Sequence, residues 1–293
     1  MSEPSTPLRL RAEAAAAELP PLLVAAERVA SMVSQGVHGR RRVGQGETFW
    51  QFRRYQPGDS SQRIDWRQSA KSVPVYVRET EWEAAQSVWL WRDTSPSMHF
   101  TGGRDRPEKA ERADLLLLAL ASLLVRGGEH VALLGSGLPP SGGRGAMNRL
   151  AALVEDRSAS TPSLPPVEPL PRYARVVMFS DFLSPPEDIR RAVEGLAGRG
   201  LRGHLVQVMD PIEEALPFDG RVHFQGLEQE GDIIIGRVEA IRPEYQALLA
   251  AHREALKEMT RAVGWTFAVH RTDQPPQAAL LALFVTMSMS ARA

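Results

Sequence analysis

Val88-Trp89-Leu90-Trp91-Arg92-Asp93-Thr94-Ser95-Pro96-Ser97 is a short apolar run that stops on a carboxylate and continues with hydroxyls at alternate positions. Four apolar residues bounded by turn formers suit a buried strand better than a helix. Downstream, residues 109–126 form a long apolar stretch with helical character, stopped by Gly127-Gly128. A strand at 130–134 follows, then a Gly/Pro loop at 136–145 and a short helix at 147–155. After a Pro/Ser-rich connection, a strand at 175–179 ends at Asp181, a helix spans 186–196, and a strand at 204–209 ends at Asp210. Strands alternating with helices predict a parallel sheet covered on both faces, an α/β doubly wound fold. Beyond Asp210 the pattern predicts a hairpin (221–225 with 232–238), a helix at 243–262, a strand at 265–270 and a final helix at 278–289.

Upstream of Val88 the chain reads differently. Residues 1–21 form a loose arm, residues 22–35 have helical spacing, and Gly36 and Gly39 stop that helix. Residues 38–78 are dense in Arg, Gly, aromatics and turn signals, and the segment 36–87 is expected to form a small β-containing module. The expected organisation is therefore an arm and helix (1–35), this module (36–87), and the α/β domain (88–293).

Composition bounds the function. Lys plus Arg and Asp plus Glu are 35 each, so a globally basic nucleic-acid binder is not indicated. With no cysteine there is no disulfide, thiolate metal site or cysteine nucleophile. The N-terminus lacks the basic-then-apolar layout of a signal peptide. The apolar runs 115–125 and 278–289 fall well short of the ~20 residues of a membrane span. The expectation is a cytoplasmic protein with no membrane span.

Ligands of open α/β sheets bind beyond the carboxyl ends of the strands, where Asp93 and Asp181 fall. One carboxylate and two hydroxyls at alternate positions suit a hard divalent cation such as Mg2+. Asp and Ser also simply make turns and helix caps. Asp93-Thr94-Ser95-Pro96-Ser97 together with Ser180-Asp181 resembles the metal-ion-dependent adhesion site of von Willebrand factor A (vWA) domains. The resemblance implies a Mg2+ held by Asp93, Ser95, Ser97 and Asp181, with an open position for a partner carboxylate. The family's threonine from a middle loop has no match. That loop reads Ser136-Gly137-Leu138-Pro139-Pro140-Ser141-Gly142-Gly143, with Ser136 and Ser141 as the available hydroxyls.

The segment before the first core strand is more specific. It contains Gly44-Gln45-Gly46-Glu47-Thr48-Phe49, Phe52-Arg53-Arg54-Tyr55-Gln56-Pro57-Gly58-Asp59, Arg63-Ile64-Asp65-Trp66 and Val75-Tyr76-Val77-Arg78-Glu79. This segment, the following D-x-S-x-S-M loop, and Asp210-Pro211 with Glu213-Glu214 and Pro217 resemble the family called domain of unknown function 58 over residues 35–290. The resemblance implies a vWA-like protein that accompanies a MoxR-type AAA+ ATPase in chaperone-like maturation or assembly of other proteins. Many members carry membrane helices near the N-terminus, and no such stretch occurs here.

The same segment has three physical readings. Arg53, Arg54, Tyr55, Arg63 and Trp66 are Arg and aromatic types enriched at protein-binding hot spots. They also suit anion or nucleic-acid binding by stacking and phosphate contact. Or they hold a substructure together, with Arg63 or Arg67 paired to Asp59 or Asp65. Gly44-x-Gly46 follows no apolar strand and lacks the third glycine of a phosphate loop.

Enzyme readings find little support. Ser95 and Ser97 have only His99 nearby as a base, and no G-x-S-x-G elbow occurs. The other histidines are scattered, with no H-E-x-x-H grouping, and a D-x-D phosphatase start is absent. The sequence therefore points to a protein-binding adaptor and not an enzyme. The alternatives are an anion- or nucleic-acid-binding module using residues 40–78, or a structural subunit with a degenerate metal site.

Overall fold

The computed structural model describes residues 42–44, 48–56, 64–71, 74–82, 86–156, 163–198, 200–228 and 231–289. The arm and helix expected at 1–35, Arg40-Arg41, and Arg63 lie outside these residues.

Five strands build the main sheet: β4 (Ser87–Arg92), β5 (His130–Leu133), β6 (Arg175–Ser180), β7 (Arg202–Met209) and β10 (Thr266–Arg271). Their order is β10-β7-β6-β4-β5, and every neighbouring pair is parallel. β4 shows why the sheet is covered on both sides. Side chains alternate along a strand; Val88 and Leu90 enter one core, Trp89 and Trp91 the other. The first core holds the helices α2 (Lys109–Arg126), α3 (Gly143–Glu155) and α7 (Pro276–Met289). The second holds α4 (Pro186–Ala197) and α6 (Val238–Ala262). The doubly wound α/β architecture expected from the alternating pattern is thus present. α6 starts five residues before the expected 243, because Pro243 lies inside the helix and buried Val238 anchors its first turn.

From β4 the chain steps outward to β5 and then crosses back to β6 on the other side of β4. The winding reverses between β4 and β6, the position where such sheets open a crevice. Asp93 and Asp181 follow those two strands.

A second, antiparallel sheet of order β1-β3-β2 is made by β1 (Arg42–Gly44), β2 (Thr48–Arg54) and β3 (Tyr76–Trp82). The short helix α1 (Trp66–Ser69) is capped by Asp65, which accepts from the Gln68 N–H at 2.8 Å. It is latched to β3 by the Asp65 N–H donating to the Tyr76 carbonyl at 2.9 Å and the Tyr76 N–H donating to Ser69 Oγ at 2.8 Å. After β7 comes the short helix α5 (Pro211–Ala215), then the hairpin β8 (Val222–Gln225) and β9 (Asp232–Ile235). Among the described residues, no helix is long and apolar enough to cross a membrane.

Candidate functional site

The end of β4 leads directly into the site. The Asp93 N–H donates to the Phe179 carbonyl at 2.8 Å, extending the β4–β6 pairing by one residue and drawing Asp93 inward. Its Oδ1 accepts from the Ser95 N–H at 2.8 Å, so the carboxylate closes its own loop. Its Oδ2 accepts from Ser180 Oγ at 2.7 Å. Ser95 Oγ and Ser97 Oγ lie 3.1 Å apart. Asp93, Ser95 and Asp181 are buried, whereas Thr94 and Ser97 are half-buried. The four residues expected at the site, Asp93, Ser95, Ser97 and Asp181, therefore lie on the two loops of the switch point.

The Asp181 side of the crevice is turned by an unusual backbone. Phe182 has φ 48°, the left-handed region that non-glycine residues seldom adopt. The turn is held by the Phe182 N–H donating to Ser180 Oγ at 2.9 Å and the Leu183 N–H donating to Asp181 Oδ1 at 3.2 Å. Strain of this kind clusters at functional loops.

Lys109, which sequence reasoning did not place here, completes the cluster. It opens α2 with a fully buried side chain, and its Nζ donates to Asp181 Oδ2 at 2.9 Å and to Glu213 Oε1 at 2.6 Å. The Phe100 ring centroid lies 5.9 Å from the same nitrogen. A cation at a helix N-terminus opposes the helix dipole; the two carboxylates override that local preference. A signal was present in the spacing. Lys109, Ala113, Leu116 and Leu120 share one face at helical intervals, and all are buried. Glu213 also belongs to the α5 capping box. Asp210 accepts from the Ile212 N–H at 2.8 Å, and Glu213 Oε2 accepts from the Asp210 N–H at 3.0 Å. Asp210 further accepts from the Gly102 N–H at 3.1 Å and from Thr272 Oγ1 at 3.2 Å, tying α5 to the loop after Ser97 and to the end of β10.

The electrostatics follow the burial. Desolvation pushes the Asp93 carboxyl above its ordinary pKa, against the bonds from Ser95 and Ser180, and the Asp181 charge adds to the rise. Desolvation likewise raises Glu213, with Lys109 opposing. Burial works against the Lys109 ammonium, but Asp181 and Glu213 outweigh it and hold its pKa above the ordinary value.

This donor set, as arranged, does not fit Mg2+. A buried ammonium sits between Asp181 and Glu213 and donates to an oxygen of each, and its charge would repel a divalent ion there. The middle-loop hydroxyls are engaged elsewhere: Ser136 Oγ donates to the Leu133 carbonyl at 2.6 Å, and Ser141 Oγ accepts from Arg149 at 2.8 Å. Among the described residues, no group of three or more His, Cys, Asp or Glu is arranged to hold a metal ion.

Around this cluster the surface is partly apolar. Glu228 accepts from the Ser97 N–H at 3.2 Å, joining the loop after β8 to the strand-end loop. Leu227 beside it is 49% exposed; in β9 the adjacent Ile233 and Ile234, on opposite faces of the hairpin, are 59% and 56% exposed, and Leu183 is exposed on the loop after β6. His99 is exposed and lies 3.0 Å from Glu108, away from Ser95 and Ser97 in its bonding. Of the residues expected to bind a partner, Arg54, Tyr55 and Trp66 are exposed, Trp66 at 68%; Arg53 lies in β2.

Fold and site together define an α/β protein with a D-x-S-x-S loop and a buried acid–lysine cluster at the switch point of its sheet. The chain belongs to the family described as "Protein of unknown function DUF58", whose model matches residues 51–255. It is 28% identical over 261 residues to uncharacterized proteins of Mycobacterium tuberculosis and Mycobacterium bovis, covering 83% of this chain and 80% of each relative. Among solved structures, it is similar to the conserved hypothetical protein BatB from Bacteroides thetaiotaomicron, with 17% identity and a TM-score of 0.43, over 71% of this chain and all (100%) of that one. An aerotolerance-related membrane protein from Bacteroides fragilis matches with 17% identity and a TM-score of 0.42, over 69% of this chain and 98% of that chain.

Proposed function

We propose that this protein is a binding adaptor and not an enzyme. It acts with a MoxR-type AAA+ ATPase in chaperone-like assembly or maturation of other proteins, and its partner docks on the face formed by the Asp93–Ser97 loop and the β8–β9 hairpin. The observation that carries this reading is the bond from the Ser97 N–H to Glu228, which ties the strand-end loop to a hairpin that exposes Ile233 and Ile234, one on each face, and Leu227 just beyond β8. A hairpin with exposed isoleucines on both faces leaves apolar surface that a partner could cover. Membership of the DUF58 family, with the ATPase association its resemblance implies, supports the choice of partner class.

The test is capture from the native host's lysate with ATP and Mg2+, comparing the tagged wild type with the Ile233→Ser/Ile234→Ser double variant. An AAA+ ATPase held by the wild type and lost by the double variant is expected. Recovery of no ATPase by the wild type would sink the adaptor reading.

A second reading draws on Trp66. An indole exposed at 68%, next in sequence to exposed Arg67 and in the same small module as exposed Arg54 and Tyr55, offers a stacking platform for a polyanion. It requires binding that weakens steeply with salt, read by gel shift at two salt concentrations.

A further inference from the structure

We propose that the Lys109 ammonium, held between Asp181 and Glu213, takes up the Asp181 carboxylate that the vWA resemblance assigns to a divalent ion, so that this face works without metal.

The geometry assigns the role. A divalent ion at a switch point draws together oxygens from separate loops. Here Lys109 Nζ does so, joining Asp181 from the loop after β6 to Glu213 from the first turn of α5, at 2.9 and 2.6 Å. An ammonium has three donors and no acceptor. Two are spent on the carboxylates, and the Phe100 ring centroid lies 5.9 Å from the nitrogen. Mg2+ demands near-octahedral oxygen ligands at roughly 2.0–2.1 Å and retains waters. Asp181 and Glu213 could meet that demand only by releasing Lys109, whose side chain is wholly buried and has no water to retreat into. Seating the ion with Lys109 in place would press three positive charges into a space of low dielectric, where repulsion is strong. The third-loop ligand is also missing, with Ser136 and Ser141 bonded within their own neighbourhood.

A tethered cation differs from a bound one in two ways. It cannot dissociate, so the two loops and α5 hold one arrangement whatever the metal supply. It also offers no open coordination position. Lys109 Nζ lies beneath the surface, and a partner carboxylate cannot reach it; the half-buried Thr94 and Ser97 are the side chains the loop presents. The exclusion of metal stands apart from the identity of the partner. Only the statement that docking is metal-free rests on the adaptor reading.

The test is titration calorimetry of the full chain with MnCl2, together with thermal melts in Mg2+, Mn2+ and EDTA. The wild type is expected to bind no Mn2+ saturably at this site, and its melting temperature to stay within about 1 °C across the three conditions, as required when nothing binds the native state selectively. Lys109→Met exposes Asp181 and Glu213 to each other without a cation. It is expected to gain saturable Mn2+ binding and to melt several degrees higher with Mn2+ than with EDTA. Should Lys109→Met not fold, Lys109→Gln, which keeps a polar group between the two carboxylates without the charge, is read in the same way. Saturable Mn2+ binding by the wild type that disappears in Asp181→Asn overturns the proposal. A folded lysine variant that gains no Mn2+ binding overturns it as well. Failure of the wild type to capture an ATPase, with these calorimetric results as expected, would remove the adaptor reading and leave the lysine assignment standing.

Discussion

Lys109 Nζ lies 2.9 Å from Asp181 Oδ2, with the lysine side chain fully buried and the aspartate almost so. The two residues are 72 positions apart, one opening α2 and the other closing β6. Breaking a buried ion pair by removing one partner leaves an uncompensated charge and costs about 3–5 kcal/mol. Lys109→Ala is expected to lose that much in urea unfolding. Combined with Asp181→Asn, the loss should fall below the sum of the two single losses, since neighbours sharing one interaction are not additive. Additive losses would show that the pair contributes nothing as a pair.

Gly203 meets the Trp265 ring. A Cβ there would stand 2.1 Å from Trp265 Cε3, and the indole is fixed by its Nε1–H donating to the Leu201 carbonyl at 2.9 Å. Overpacking of this kind costs typically 1–3 kcal/mol and sometimes more. Gly203→Ala is expected at or beyond the upper end, about 3 kcal/mol, measured by chemical denaturation. Gly203→Ala with Trp265→Leu should recover part of the loss by vacating the space.

Two buried histidines make stability sensitive to acid. Burial, with Arg175 and Arg202 adding repulsion, pushes His204 down to about 4; burial, with Arg112 adding repulsion against Asp273, pushes His270 down to about 4. Below pH 6.5 the unfolded chain takes up protons that the folded chain refuses, so folding stability falls as pH drops from about 6.5 to about 4. Each histidine accounts for up to roughly 3 kcal/mol over that window. Urea midpoints at pH 7 and pH 4.5 should differ markedly in the wild type. The difference should shrink in His204→Gln, whose amide oxygen can accept from Thr266 Oγ1, 2.7 Å from the present imidazole. An unchanged difference would remove His204 from the account.

Asp65 and Trp66 are neighbours with opposite roles. Trp66 is 68% exposed, and Trp66→Ala should change unfolding stability by less than about 0.5 kcal/mol. Asp65 caps α1, and Asp65→Ala should cost about 1 kcal/mol. If Trp66 serves a polyanion, its loss should weaken that binding with stability intact. A large stability loss in Trp66→Ala would mean that the ring packs instead.

The order of strands and helices was legible because apolar runs of strand length alternate with helical stretches from Val88 onward, and because Gly127-Gly128 stops α2 where expected, with Gly128 at φ 86°. The strand-end loop was legible as well, since Asp93, Ser95 and Ser97 are close in sequence. Pro243 misled, because proline is a common helix start and here sits one turn inside. Lys109 and Glu213 were missed for a different reason. A lysine beginning an apolar helix ordinarily projects into water, and no local pattern says that two distant acids will meet it.

What the sequence determined by itself is the alternation of elements, because local apolar periodicity and turn chemistry depend only on near neighbours. It also placed Asp93 and Asp181 at strand ends. What only the tertiary structure decided is how those carboxylates are satisfied. The crossover from β5 back to β6 sets Asp181 beside Asp93, and α2 and α5 then bring Lys109 and Glu213 to the same point. A buried charge must find its partner in space, and that partner can come from anywhere along the chain.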